Sequence, residues 1–159
     1  MGAVERSSSV VESQLSVLEE SYGSFPVNQR TVSVPTAQYE RKRRRADEEI
    51  ELYAKVTNDE SEVLHVRVDG DRVLPSTTAP VDGRPERAIR STVAERTGIE
   101  CRVEGVHGAT ILGLQDADDP ERESVYRLGV IYEADRTGGS LAPDADWQAY
   151  EPDAHPVYV

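Results

Sequence analysis

Three side chains a helical turn apart carry the chemistry worth weighing first: Thr92, Glu95 and Arg96. Pro85 to Thr97 reads as a helix, with proline in the first turn and Gly98 as the stop. Positions 92, 95 and 96 stand i, i+3 and i+4 apart, so a helix aims all three the same way. A hard divalent cation such as Mg²⁺ asks for oxygen donors, carboxylates above all. One carboxylate beside a guanidinium is a poor site for it. A fixed cation roughly 4–6 Å away repels the metal by an amount set by the local dielectric. Arg96 could instead pair with Glu95 or touch a phosphate directly. The plainer alternative is an amphipathic helix, with Ile89 and Val93 toward the core and Glu95 solvated.

Other chemistry-bearing residues are scattered. Asp82, Glu86, Asp116, Asp118, Asp119 and Glu133 could in principle rebuild a metal site, but their spacing shows no convergence. Solvation is the ordinary fate of an acidic loop such as 116–123. His65 alternates with apolar strand positions, which suggests a surface or sheet-edge place. His107 suits a link between two strands, and His155 precedes Pro156 near the tail. No two histidines have ligand spacing. Cys101 is the single cysteine, which excludes an internal disulfide and a cysteine zinc cage, and a buried inert thiol is the favoured reading. No Ser, His and Asp cluster is recognisable. Trp147 and Tyr150 could stack on a base, though packing is the commoner use.

The elements that must hold these residues fit within 159 residues, enough for one domain and a short appendage. Val, Leu, Ile and Phe together number 35, just above the ~20% below which high charge implies disorder. Thirty acids face 18 bases, giving a net charge of -12, and only Lys42 and Lys55 are lysines. That acid-rich, arginine-using texture resembles proteins of salt-loving microbes, in which concentrated salt relieves self-repulsion. It disfavours nucleic acid, which needs a basic footprint. No apolar run approaches a membrane span and no signal peptide opens the chain, so the expected compartment is the cytoplasm.

Along the chain, residues 1–9 read as polar and frayed, and Val10 to Tyr22 as a helix capped by Gly23. Thr31 to Val34 alternates like a short strand. Ala37 to Glu49 reads as a charged helix, whose Arg41–Arg45 run can pair with acids three and four residues away. Leu52–Val56 and Val63–Val68 read as a β-hairpin. Asp69–Asp71 is a turn, and a loop rich in Ser, Thr and Pro runs to Gly83. After the 85–97 helix come strands over 99–103, 109–114 and 125–133, then a Gly138–Gly139 turn. Hairpin, loop, helix and further strands argue for an α+β fold with a mixed sheet.

The segment from Leu74 to Ile99 resembles the Nudix box of MutT-like proteins. In that family a leucine, a proline and two glycines introduce a glycine, five residues, a glutamate, seven residues, an arginine–glutamate pair, an apolar residue, any residue, two glutamates, any residue, a glycine and an apolar residue. Leu74 and Pro75 match the lead-in without a gap to the helix, and Pro85, Glu86 and Ala88 match types often seen before it. Val93, Glu95, Gly98 and Ile99 fall on their positions. Gly138–Gly139 and Trp147 sit where many members have a glycine turn and a tryptophan. The likeness covers about residues 51–159. The departures are chemical: Ser76 and Thr77 stand on the two glycines, Gly83 on the first glutamate, Ser91–Thr92 on the arginine–glutamate pair and Arg96 on the last glutamate.

The resemblance implies an α/β/α sandwich over 51–159, carrying an N-terminal helical extension over 1–50. Active members hydrolyse nucleoside diphosphate derivatives with Mg²⁺ or Mn²⁺, and their helix gathers carboxylates at positions matching 92, 95 and 96. Glu95 is thus the one candidate for both catalysis and metal binding. The expected outcome is a binding or regulatory domain for a nucleotide or phosphorylated small molecule, with hydrolysis lost or weak and Mg²⁺ or Mn²⁺ needed only if activity persists. The alternative is an active metal-dependent hydrolase. Whether the chain is an enzyme stays open at this point, as does a homodimer.

Overall fold

The computed structural model describes residues 3–45 and 48–152. Its elements run α1 (Ala3–Tyr22), β1 (Val27–Val34), α2 (Thr36–Arg45), β2 (Glu49–Thr57), β3 (Val63–Val68), β4 (Asp71–Val73), β5 (Ser76–Pro80), α3 (Pro85–Thr97), β6 (Ile99–Asp116), β7 (Val125–Gly139) and β8 (Ala145–Gln148). Eight strands form one sheet in the order β1-β6-β7-β2-β3-β4, with β5 also on β2 and β8 also on β3. β1 runs parallel to β6 and β2 parallel to β7, while the other pairs are antiparallel. The fold is α+β with a mixed sheet.

The period-2 alternation of the strands divides the core into two faces. On one face Leu52, Ala54, Leu128, Val130 and Tyr132 meet Val11 and Leu18 of α1 and Ile89 and Val93 of α3. On the other, Val34, Leu112, Leu114 and Val125 meet Tyr39 of α2. Further along this second face Tyr53, Val63 and Leu74 cluster with Ile131. Helices thus cover both faces, as in an α/β/α sandwich. Fully burying each large aliphatic side chain stabilises by ~1.5–3 kcal/mol, so the burial of Leu52, Leu64 and Ile89 is what locks the layers.

The second face also buries a charge cluster. Glu51 and Arg127, 6% and 2% exposed, lie with Arg127 Nε 3.5 Å from Glu51 Oε1, and Lys42 Nζ of α2 reaches the same oxygen at 3.2 Å.

Several elements differ from the sequence reading. Helix α1 begins at Ala3, in the stretch read as frayed, and its Ser7 is buried and accepts the Tyr126 N–H at 3.2 Å. The α2 helix stops at Arg45, and Glu49 already belongs to β2. The Ser/Thr/Pro loop contains β5, which zips onto β2 from Glu49↔Pro80 to Tyr53↔Ser76. The two strands read as a hairpin, β2 and β3, are antiparallel but share a single ladder pair, Thr57↔Val63, because β5 occupies that edge of β2 further back. The two strands read over 99–114 are one, β6, with register shifts at Val103/Gly105 and Val106/Gly108. Gly138 and Gly139 end β7 in register with Glu100 and Ile99 rather than forming a separate turn.

Candidate functional site

Helix α3 is punctuated by backbone chemistry. Pro85 fills the first turn, and no side chain caps the N-terminus. At the other end Gly98 adopts φ 76°, and its N–H reaches Ala94 O at 3.0 Å. Thr97 donates to Val93 O at 2.5 Å and accepts the Ile99 N–H at 3.1 Å. Its carbonyl takes the Ala142 N–H at 2.8 Å, which ties the helix end to the 140–142 segment. Ile89, Val93 and Thr97 are buried against the sheet.

This geometry fixes what the flank carrying Thr92 offers. Thr92 is half-buried, and Glu95 and Arg96 are exposed. Glu95 makes no hydrogen bond or ion pair among the described residues. The donor set is therefore one hydroxyl, one free carboxylate and one guanidinium. Such a set does not fit a divalent cation, which wants several carboxylate oxygens and no fixed cation.

The other acids weighed from sequence lie elsewhere. Glu86 accepts the Tyr22 hydroxyl at 2.6 Å, and burial first, then this bond, pushes the Tyr22 pKa up. Asp116 takes Thr36 Oγ1 at 2.6 Å, the Asp118 N–H at 3.0 Å and Arg122 at 3.2 Å. The Thr36 bond leads in holding its carboxyl below the usual range. Asp118 also accepts from Thr36, at 2.8 Å. Arg122 lies 4.5 Å over the Tyr39 ring and pairs with Glu40 at 2.5 Å, so the acidic loop is clamped onto α2. Glu133 lies 3.4 Å from His107 Nδ1. Among the described residues no three of His, Cys, Asp and Glu converge on a common point.

The remaining single candidates resolve individually. His65, read as a surface or edge residue, is fully buried, with Nε2 2.8 Å from Tyr150 O and the Tyr150 ring edge-on at 5.3 Å. His107 sits in β6 at the register shift between Val106 and Gly108. Cys101 is buried, and burial pushes its thiol pKa up. Trp147 packs half-buried on the main core. His155 lies outside the described residues.

A groove of about 410 Å³ runs along the opposite flank of α3, lined by Arg87, Arg90, Ser91, Glu100 and Thr137. Arg90 spends its Nε on Cys101 O at 3.2 Å. With Arg96 on the first flank, α3 is a basic element in an acidic chain. Sequence gave no sign of the cleft that Asn28, Lys55, His107 and Thr110 share on the other face of the sheet, because they come from three strands distant in the chain.

No helix among the described residues is long and apolar enough to cross a membrane. No family model matches the chain, and no curated protein matches it. Solved structures do. A chain from Sinorhizobium meliloti 1021 described as an oxidoreductase is 19% identical with TM-score 0.45, over 64% of this chain and 30% of that one. A UDP-X diphosphatase is 18% identical with TM-score 0.49, over 66% and 53%. A MutT protein from Methanosarcina mazei Go1 is 19% identical with TM-score 0.46, over 63% and 75%. The chain thus spans about a third and about half of the first two. Likeness at these identities says nothing of activity.

Proposed function

We propose that this chain is a Nudix-like domain that binds a nucleotide or phosphorylated small molecule directly, without a divalent cation, at the Thr92–Arg96 flank of α3. The observation that carries the reading is the pairing of a retained frame with an altered donor set. The strand-loop-helix frame stands where the box resemblance puts it, with α3 spanning Pro85–Thr97 and Gly98 closing it. Its exposed flank presents Arg96 where the family has a glutamate. A guanidinium meets a phosphate with two parallel hydrogen bonds and needs no metal to offset the charge. Keeping the frame while changing the chemistry is how folds acquire new roles.

A second reading is metal-dependent hydrolysis of nucleoside diphosphate derivatives with Glu95 as its key carboxylate. What favours it is that Glu95 is exposed and unpaired among the described residues. Calorimetry with ADP-ribose and with UDP-glucose, in EDTA and in Mg²⁺ or Mn²⁺, separates the two. Direct binding predicts equal affinity with and without metal, loss in Arg96→Glu, and little change in Glu95→Gln. Release of phosphate-bearing products only with metal, abolished by Glu95→Gln, would sink the proposal and establish the hydrolase. The assay belongs at both low and molar salt, since exposed arginine–phosphate contacts are screened.

A further inference from the structure

The end of the sheet where β4 and β8 flank β3 holds two buried polar atoms that the fold leaves without a partner. His65 is fully buried, and its Nε2 lies 2.8 Å from the Tyr150 carbonyl oxygen. A carbonyl only accepts, so Nε2 carries the ring proton and Nδ1 is a bare acceptor. That Nδ1 has no hydrogen-bond partner among the described residues. Directly across the ladder from His65 stands Asp146 of β8. Opposed residues of an antiparallel pair point to the same face, with Cβ atoms ~4.5–5.5 Å apart. Asp146 gives Oδ2 to Arg72 at 3.2 Å, to Gln148 at 3.1 Å and to Arg67 at 3.5 Å, while its buried Oδ1 has no partner among the described residues.

Two neighbouring acceptors, both withdrawn from water, leave the fold short of a donor. A metal ion does not answer that need. Among the described residues no three of His, Cys, Asp and Glu converge, and two guanidiniums already flank Asp146. A proton does answer it. Taken up at Nδ1, it makes a donor for Oδ1 and sets an imidazolium beside a carboxylate. The charges on this face allow it. Arg67 and Arg72 hold Oδ2 through side chains 57% and 34% exposed, so solvent screens them. Lys55 of β2 pairs with Glu151. Two phenols, Tyr53 of β2 and Tyr150, stand on the same face.

The same imidazole anchors the segment that follows β8. Residues 149–152 are held by the His65–Tyr150 bond, by Arg72 Nη1 donating to the Tyr150 hydroxyl at 3.3 Å and by the Lys55–Glu151 pair, with Pro152 buried. A charged donor bonds more strongly than a neutral one, so charging His65 tightens its grip on Tyr150.

We propose that His65 and Asp146 form a proton-operated latch, which grips the 149–152 strap in mild acid and loosens it as pH rises. The closed strap holds the proton more firmly than the open one. Its contribution is therefore present at ~pH 5 and lost by ~pH 8, the range in which histidine changes charge. The latch uses no residue of the α3 flank.

The test follows the His65 ring nitrogens and the backbone of 149–151 by ¹⁵N NMR in the full chain, from ~pH 8 to ~pH 5. The ring should carry a proton on Nε2 alone at the start and on both nitrogens at the end. The strap amides should rigidify over the same range. In Asp146→Asn the side-chain amide can donate to Nδ1, so the ring should stay neutral and the strap indifferent to pH. Urea unfolding should show the wild-type folding constant gaining at least fivefold over that of Asp146→Asn across the range. A wild-type ring that keeps its neutral form in acid overturns the proposal, as does a strap whose mobility ignores pH. An equal gain in a folded Asp146→Asn overturns it too. Melting curves verify the fold of the variant, and the wild-type titration decides the matter should the variant not fold.

Discussion

Rebuilding the carboxylate face of α3 is the most direct challenge to the account of Thr92, Glu95 and Arg96. The double variant Thr92→Glu/Arg96→Glu places three carboxylates at i, i+3 and i+4 on a helix whose ends are fixed by Pro85 and Gly98. Because Glu95 and Arg96 are exposed, a water-like dielectric applies. Two unit charges at 4 Å then interact by ~1 kcal/mol, and a divalent ion doubles that. Thr92→Glu should contribute ~2 kcal/mol, and Arg96→Glu ~4 kcal/mol, since repulsion becomes attraction. Ionic screening and the side-chain freedom of an exposed face should halve the sum. About 3 kcal/mol remains, a gain of roughly a hundredfold in Mn²⁺ affinity at low salt. Calorimetric titration of Mn²⁺ measures it, with Glu95→Gln in the double variant expected to lower the affinity about fivefold, the ~1 kcal/mol that one carboxylate contributes after the same halving. A folded double variant with wild-type Mn²⁺ affinity, or a gain indifferent to Glu95→Gln, would refute the reasoning.

Three further outcomes follow from the packing. Gly98→Ala should lower stability by about 3 kcal/mol or more in urea unfolding. The left-handed φ is strained for alanine, and its Cβ would collide with the Ser140 carbonyl oxygen. Asp116→Asn should flatten the acid limb of the melting curve between pH 2 and 5. The native carboxyl titrates below its unfolded value of ~4, so its contribution is present above that value and is lost as pH falls through the native one. Arg127→Met should cost less than the ~3–5 kcal/mol of stranding a buried charge, since Lys42 and the Tyr53 hydroxyl still hold Glu51, whereas adding Lys42→Met to it should bring the full cost, as chemical denaturation would show.

How much was legible in the chain depended on what punctuates each element. Helix α3 and strand β3 keep the bounds read from sequence, because Pro85, Gly98, and the Asn58–Ser61 and Asp69–Gly70 turns mark their ends in backbone terms. The start of α1 was hidden because Ser7 is buried for its hydroxyl, not for any apolar surface. The continuity of β6 was hidden because Gly105, His107 and Gly108 look like a turn, yet their irregularity is absorbed as bulges against β7. β5 is made by tertiary pairing from residues whose composition reads as loop. The α3 flank could be read in advance because helical spacing alone sets it. The Asn28–Thr110 cleft could not, since only strand register brings β1 and β6 together.

The parallel pairing of β1 with β6 also bears on how this chain is made. Val27 sits beside Ala109, and Val34 beside Asp116, some eighty positions later. While a ribosome is still extending the middle of the chain, the opening helix and strand have no sheet edge to join, and α1 carries Val11 and Leu18 bare. Contacts that distant close slowly. The amino-terminal strand therefore docks only once the long β6–β7 ribbon has been synthesised and zipped.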